Sequence, residues 1–196
     1  FQRVLLTLIA PIAVLTLGSA SGQATEILNR ITLPAGFKIS VFAEVPRARS
    51  LAIDPVTQIV YVGSRGSAIY AALDGDGDGY AEVVRKRADG LAVPNGLAIR
   101  NGYLFIALQD RLVKWRLPRS PLMTPRMARL QTVFDGFPDK RHHGWRYAKF
   151  GPDGQLYVAL GAACNICLTD GLEGTIVRID PETGELVIVA RVVRNS

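Results

Sequence analysis

Two adjacent histidines, His142 and His143, are the only ones in the 196-residue chain, within the run DKRHHGWR. Imidazole titrates near neutral pH, so a histidine at a channel mouth is a candidate general base. Neighbours in extended backbone point to opposite sides, so one of the two would face inward. The other reading is a solvent-exposed loop pair. Cys164 and Cys167 form CNIC. One cysteine pair does not make a four-cysteine zinc site, and no histidine follows Cys167 as in a c-type haem attachment. In an exported chain the pair reads as a local disulfide stiffening a loop, with a redox-active pair as the alternative. Asp74, Asp76 and Asp78, in DGDGDG, space three carboxylates by two residues and could converge on a structural calcium ion. An EF-hand would need Glu at its twelfth position, where Arg85 stands, so a Gly-rich turn is the other reading. Arg194 and Asn195 offer a guanidinium fork and an amide. Gly-rich phosphate loops and a G-x-S-x-G nucleophile elbow are absent from the sequence.

Something must position these residues, and the apolar runs say what. IVYVGS (59–64), YLFIAL (103–108) and QLYVAL (155–160) share an order of aromatic, aliphatic and small residues. Each follows another apolar run and a tight turn, and the paired runs start at 50, 96 and 145. A period of about 40–50 residues with four strands per repeat is a β-propeller signature. The strands are predicted at 50–54, 59–64, 68–73 and 82–88; at 96–100, 103–108, 111–117 and 129–134; and at 145–150, 155–160, 174–179 and 185–190. KISVFA (38–43) is expected as an early strand that closes the ring from outside. The fold class is all-β, a propeller of which about the first three to four blades are present; a β-sandwich is the competing architecture.

Strand direction alternates within a blade, which sorts the loops into two faces. Both histidines, both cysteines and Arg194-Asn195 fall on the face shared by the B-to-C loops and the blade-to-blade crossings. DGDGDG and the GPDG and PETG turns fall on the other. Function belongs to the first face, at the mouth of the central channel.

The first residues carry a different message. Arg3 precedes the apolar stretch VLLTLIAPIAVLTLG and then small residues through Ala24, the pattern of a secretory signal peptide over 1–24. The apolar stretch is short for a membrane span, so no stable span is expected after cleavage; an uncleaved anchor is the alternative. A periplasmic or secreted location follows, with residues 25–196 as the propeller portion. Phe1 stands where Met would open a chain, and ARVVRNS ends where a new inner strand should begin, so the sequence is expected to be part of a longer propeller. Net charge is +6, but without Lys/Arg runs, so no nucleic-acid partner is expected.

LPAGFKISVFAEVPRARSLAIDP, PNGLAIRNGYLFIA, HHGWRYAKFGPDGQLYVALGAACNIC and ARVVRNS together resemble the glucose/sorbosone dehydrogenase family, especially its L-sorbosone dehydrogenase-like members with a similar C-N-x-C loop. The resemblance implies an exported six-bladed propeller using pyrroloquinoline quinone and calcium. It selects His143, eight residues before GPDG, as the base that takes a proton from a sugar hydroxyl or from a hydrated sugar-derived aldehyde. It places Arg194 and Asn195 at the quinone, with Arg146 as a further cofactor-binding cation. The electron acceptor is not identified. His142 and Pro94 stand where the glucose-oxidising branch has Asp and Gln, so its substrate preference does not carry over. The alternative functions are a calcium-dependent sugar lactonase and a non-catalytic binding propeller.

Overall fold

The computed structural model describes residues 26–120, 127 and 129–193; the expected signal peptide and Arg194-Asn195 lie outside them. Two compact units divide the chain, Phe1–Val41 and Phe42–Ser196. The described part of the first holds one short helical turn at 26–28. Among the described residues no helix is long and apolar enough to cross a membrane.

The second unit is three four-stranded antiparallel sheets, each in sequence order. The first is β1 (Ala48–Ile53), β2 (Val60–Ser64), β3 (Ile69–Leu73) and β4 (Val83–Ala88). The second is β5 (Gly96–Arg100), β6 (Tyr103–Ala107), β7 (Arg111–Arg116) and β8 (Gln131–Asp135). The third is β9 (Tyr147–Phe150), β10 (Leu156–Leu160), β11 (Thr175–Ile179) and β12 (Leu186–Arg191). These are three blades of a β-propeller.

The alternation of side chains across β6 joins the blades. Leu104 and Ile106 face the first blade and pack with Tyr61, Ile69 and Ala71. Phe105 and Ala107 face the third and pack with Leu156, Val158 and Val177. A strand buried on both faces needs an unbroken apolar run, and YLFIAL supplies it. Each fully buried large side chain contributes about 1.5–3 kcal/mol. Edge-on aromatic pairs, Tyr61 with Trp115 at 6.2 Å and Phe105 with Phe150 at 5.1 Å, bridge the same two seams. The inner strands β1, β5 and β9 are neighbours and together line a groove of about 510 Å³ on the axial side.

Three expectations about strands change. KISVFA is not a strand, because the described residues leave it no ladder partner. Instead Phe42, Ala43 and Val45 cover Val60, Val62 and Ala72 of the first blade, and the Phe42 carbonyl accepts from the Ala81 amide at 2.8 Å. β8 begins at Gln131 rather than 129, because Arg129 is left-handed at φ 58° and breaks the extended run. β9 begins at Tyr147 rather than 145, because the Arg146 side chain turns inward and is buried.

Candidate active site

The B-to-C loops and the crossings between blades meet on one face and bond to each other. The Gln109 amide donates to the Ala92 carbonyl at 2.9 Å, and Ser67 Oγ donates to Asp89 at 2.6 Å. Glycines permit this approach. A Cβ on Gly63 would stand 2.6 Å from the Asn95 carbonyl oxygen, and one on Gly96 would stand 2.5 Å from that of Arg146. Asn95 Nδ2 donates to the same Arg146 carbonyl at 2.9 Å, and Ser50 Oγ donates to the Asn95 carbonyl.

Each crossing bends the chain from an outer strand to the next inner one. Non-glycine residues in left-handed backbone stand at these bends, Val93 (φ 47°) before β5, His143 (φ 50°) before β9 and Val192 (φ 63°) after β12, and Arg47 (φ 55°) has the same conformation at the entry to β1. Such a residue costs roughly 1–2 kcal/mol, most for a β-branched one. His143 is therefore held in an uncommon conformation by its surroundings.

Those surroundings fix its chemistry. His143 is half-buried, and its Nδ1 lies 2.9 Å from the Ala162 carbonyl oxygen. A carbonyl only accepts, so Nδ1 carries the proton and the neutral ring has its lone pair on Nε2. His142 is exposed, and its ring lies 4.1 Å from that of His143. The pair does not point to opposite sides, as extended backbone would require, because 142–143 is a turn.

Beneath them lies Arg146, fully buried. Its guanidinium donates to the Gln109 carbonyl at 3.0 and 3.2 Å, to the Pro138 carbonyl at 2.5 Å and to the His143 carbonyl at 3.5 Å. Burial pulls its pKa down to about 10, against the opposing pull of the Asp139 and Glu173 charges. It remains a cation at neutral pH, turned onto backbone carbonyls. Expected as a cofactor-binding cation, Arg146 is bonded here to the backbone of the loop that carries His143.

Cys164 and Cys167 are disulfide-bonded. Their loop, with Ala162, Val192 and Val193, encloses a mostly apolar cavity of about 510 Å³. Ile166 and Leu168 stand fully exposed on that loop. The cavity thus joins the carbonyl that anchors His143 to the residues leading into Arg194.

DGDGDG is the β3–β4 loop and carries more than its three aspartates. Ligand atoms of Asp74, Asp76, Asp78 and Glu82 lie within 4.8 Å of one another. Asp74 accepts from the Gly77 and Gly79 amides at 2.6 and 2.9 Å, and Glu82 from the Gly75 amide at 2.8 Å. Glu82 was missed in the sequence, although its place, ninth counting from Asp74, is a ligand position of calcium loops. Arg47, Arg65, Arg141 and Trp145 were missed as well; they gather in one cleft from different crossings and loops, and no local motif announces it.

No family model matches the sequence, and no curated protein matches it. Solved structures do share the fold. A Trichoderma reesei carbohydrate-active enzyme of family AA12 superposes with TM-score 0.63 at 16% identity, over 76% of this chain and 40% of that one. The holo PQQ domain of Coprinopsis cinerea pyranose dehydrogenase does so with TM-score 0.56 at 14% identity, over 68% and 33%. The PQQ-bound aldose sugar dehydrogenase of Streptomyces coelicolor gives 0.55 at 19% identity, over 74% and 48%. The matched part spans a third to about half of each of these proteins, and what it shares with them is the propeller fold.

Proposed function

We propose that the chain forms the first three blades of an exported, six-bladed, quinone-dependent oxidoreductase that oxidises a sugar or a sugar-derived aldehyde, with His143 as general base. The observation that carries this reading is the Nδ1 bond of His143 to the Ala162 carbonyl, 2.9 Å long, which leaves Nε2 as the basic atom. The fold shared with a PQQ-bound aldose sugar dehydrogenase supports it.

Pyrroloquinoline quinone is a flat ring with three carboxylates, and the described residues supply a wall for its ring. The cavity beside His143's anchor is walled by Ala162, the disulfide loop, Val192 and Val193, which suits a flat apolar ring. Arg194 and Asn195, next in the chain, are the polar groups proposed to hold it. When bound, the quinone supplies the two-electron oxidant. His143 Nε2 takes the proton of the substrate hydroxyl, and Arg146 keeps that ring in place from below. Calcium is proposed as a structural ion at Asp74, Asp76, Asp78 and Glu82 on the opposite face.

The test is dye reduction by the full-length protein with quinone and calcium, across aldoses and aldehydes. His143→Ala is expected to lower turnover by roughly 10²–10⁴-fold while quinone titration is unchanged. Unchanged turnover in that variant refutes the role of His143.

A further inference from the structure

A second cavity, of about 690 Å³, opens on the same face, with Arg47, Arg65, Arg141 and Trp145 in its wall beside Gln109 and Asp139. Its size is that of a small-molecule site. The Arg65 guanidinium stacks 3.7 Å above the Trp145 ring. The Arg65 amide donates to the Arg47 carbonyl at 3.2 Å, which ties the first two arginines together. Arg47 and Arg65 are exposed, as is Arg141, and among the described residues none of the three pairs with a carboxylate. Asp139 is already engaged by the Gln109 side-chain amide. The wall therefore carries three guanidiniums against one carboxylate.

Like charges crowded into one cleft repel, and the repulsion is relieved by an anion. Arginine in place of lysine favours a planar, two-oxygen anion such as a carboxylate. The Trp145 indole, stacked under Arg65, holds that guanidinium in the wall of the cleft. Arg141 and Trp145 each stand two residues from His143, so an anion held here is attached to a molecule at the candidate active site's border.

We propose that this cleft binds the carboxylate of an acidic sugar of the uronate class; the word sugar rests on the function proposed above, the carboxylate on the cleft alone. The experiment is calorimetric titration of the full-length protein with glucuronate and with trigalacturonate. Glucose, galactose, inorganic phosphate and pyrroloquinoline quinone are the parallel arms. Saturable binding of the acidic sugars is expected, with none of the neutral ones. It should weaken roughly tenfold in Arg65→Ala and in Arg141→Ala, since each removes a charge-assisted bond. It should also weaken between about 50 mM and about 500 mM salt. Both side chains are exposed, so the variants should keep the parent's melting temperature, and that is measured alongside. The inference is overturned by absent uronate binding in the folded chain, by unchanged affinity in both variants, by phosphate binding equally well, or by quinone alone occupying the cleft. Failure here with a positive His143 test removes only the acidic substrate. Uronate binding with a negative His143 test leaves the cleft and removes the dehydrogenase reading.

Discussion

Replacing Arg146 separates what holds the candidate site together from what reacts in it. The guanidinium serves three carbonyls, those of Gln109, Pro138 and His143, from a fully buried position. Arg146→Met fills much of the volume but leaves those oxygens without their donor. Each of the three orphaned buried acceptors costs about 1–3 kcal/mol, so a loss of about 3–9 kcal/mol is expected. For a domain of this size that lowers the melting temperature by roughly 6–36 °C. A merely structural role would end there. The geometry requires more, because the same loop aims His143 Nδ1 at Ala162. With only two histidines, ¹⁵N-detected imidazole spectra resolve both rings. In the parent, one ring should show the Nδ1–H tautomer and the other the ordinary solution mixture. In Arg146→Met, below its melting point, the Nδ1–H signature should disappear; Arg146→Lys should restore part of it. A variant that melts lower yet keeps the tautomer intact refutes the clamp. A parent without the tautomer refutes the assignment of Nε2 as base.

Two further expectations follow from geometry. Gly96→Ala puts a methyl within 2.5 Å of the Arg146 carbonyl oxygen, and the second and third blades must part to admit it; a loss of about 1–3 kcal/mol is expected in chemical denaturation, and an unchanged midpoint contradicts the close approach. Free calcium at about a hundredfold over its dissociation constant should stabilise the chain by about 2.7 kcal/mol, or roughly 5–11 °C in melting temperature, reversed by chelator and absent in Asp74→Asn; equal melting with calcium and with chelator removes the ion from the β3–β4 loop.

The fold was legible because burial on both faces leaves a mark that a single strand can carry. Leu104, Phe105, Ile106 and Ala107 must all be apolar, since alternate residues serve different seams, and the same run recurs in each blade. β5 has the bounds predicted for it, Gly96–Arg100. Strand starts were less legible. Arg129 and Arg146 look like ordinary strand residues until the left-handed backbone of one and the burial of the other are known. Alternating strand direction placed His143, the CNIC loop and the crossings on one face, and the bonds among those loops agree. The role of Arg146 was not legible, because a buried arginine and a cofactor-binding arginine have the same letter. The arginine cleft was hidden for a different reason: Arg47, Arg65 and Arg141 belong to different crossings and loops, and only the propeller's curvature makes them neighbours.

Non-glycine residues in left-handed backbone occur at Arg47, Val93, His143 and Val192 on the near face and at Gln58, Asn101 and Arg129 on the opposite one, and only the first set lies where the chain enters or leaves a blade. The opposite face is stitched by hairpin turns such as GPDG and PETG, which close on themselves; Gly154 there sits at φ 82° and Gly184 at φ 75°. On the near face the chain has to leave an outer strand, pass over its neighbour and drop into the next inner strand. That path takes left-handed backbone in each crossing, at Gly90 and Val93 before β5, at Gly136 and His143 before β9 and at Val192 after β12, and Arg47 has the same conformation just before β1. A side chain in that slot is held by the crossing and cannot relax without unpicking the blade junction. The slot is therefore a costly place for an ordinary residue and a useful one for a group that must not move. In the first blade it holds a cation of the cleft, in the third the candidate base. Repetition of the frame, with different side chains set into one left-handed position, is how three similar blades present unlike groups on a single rim.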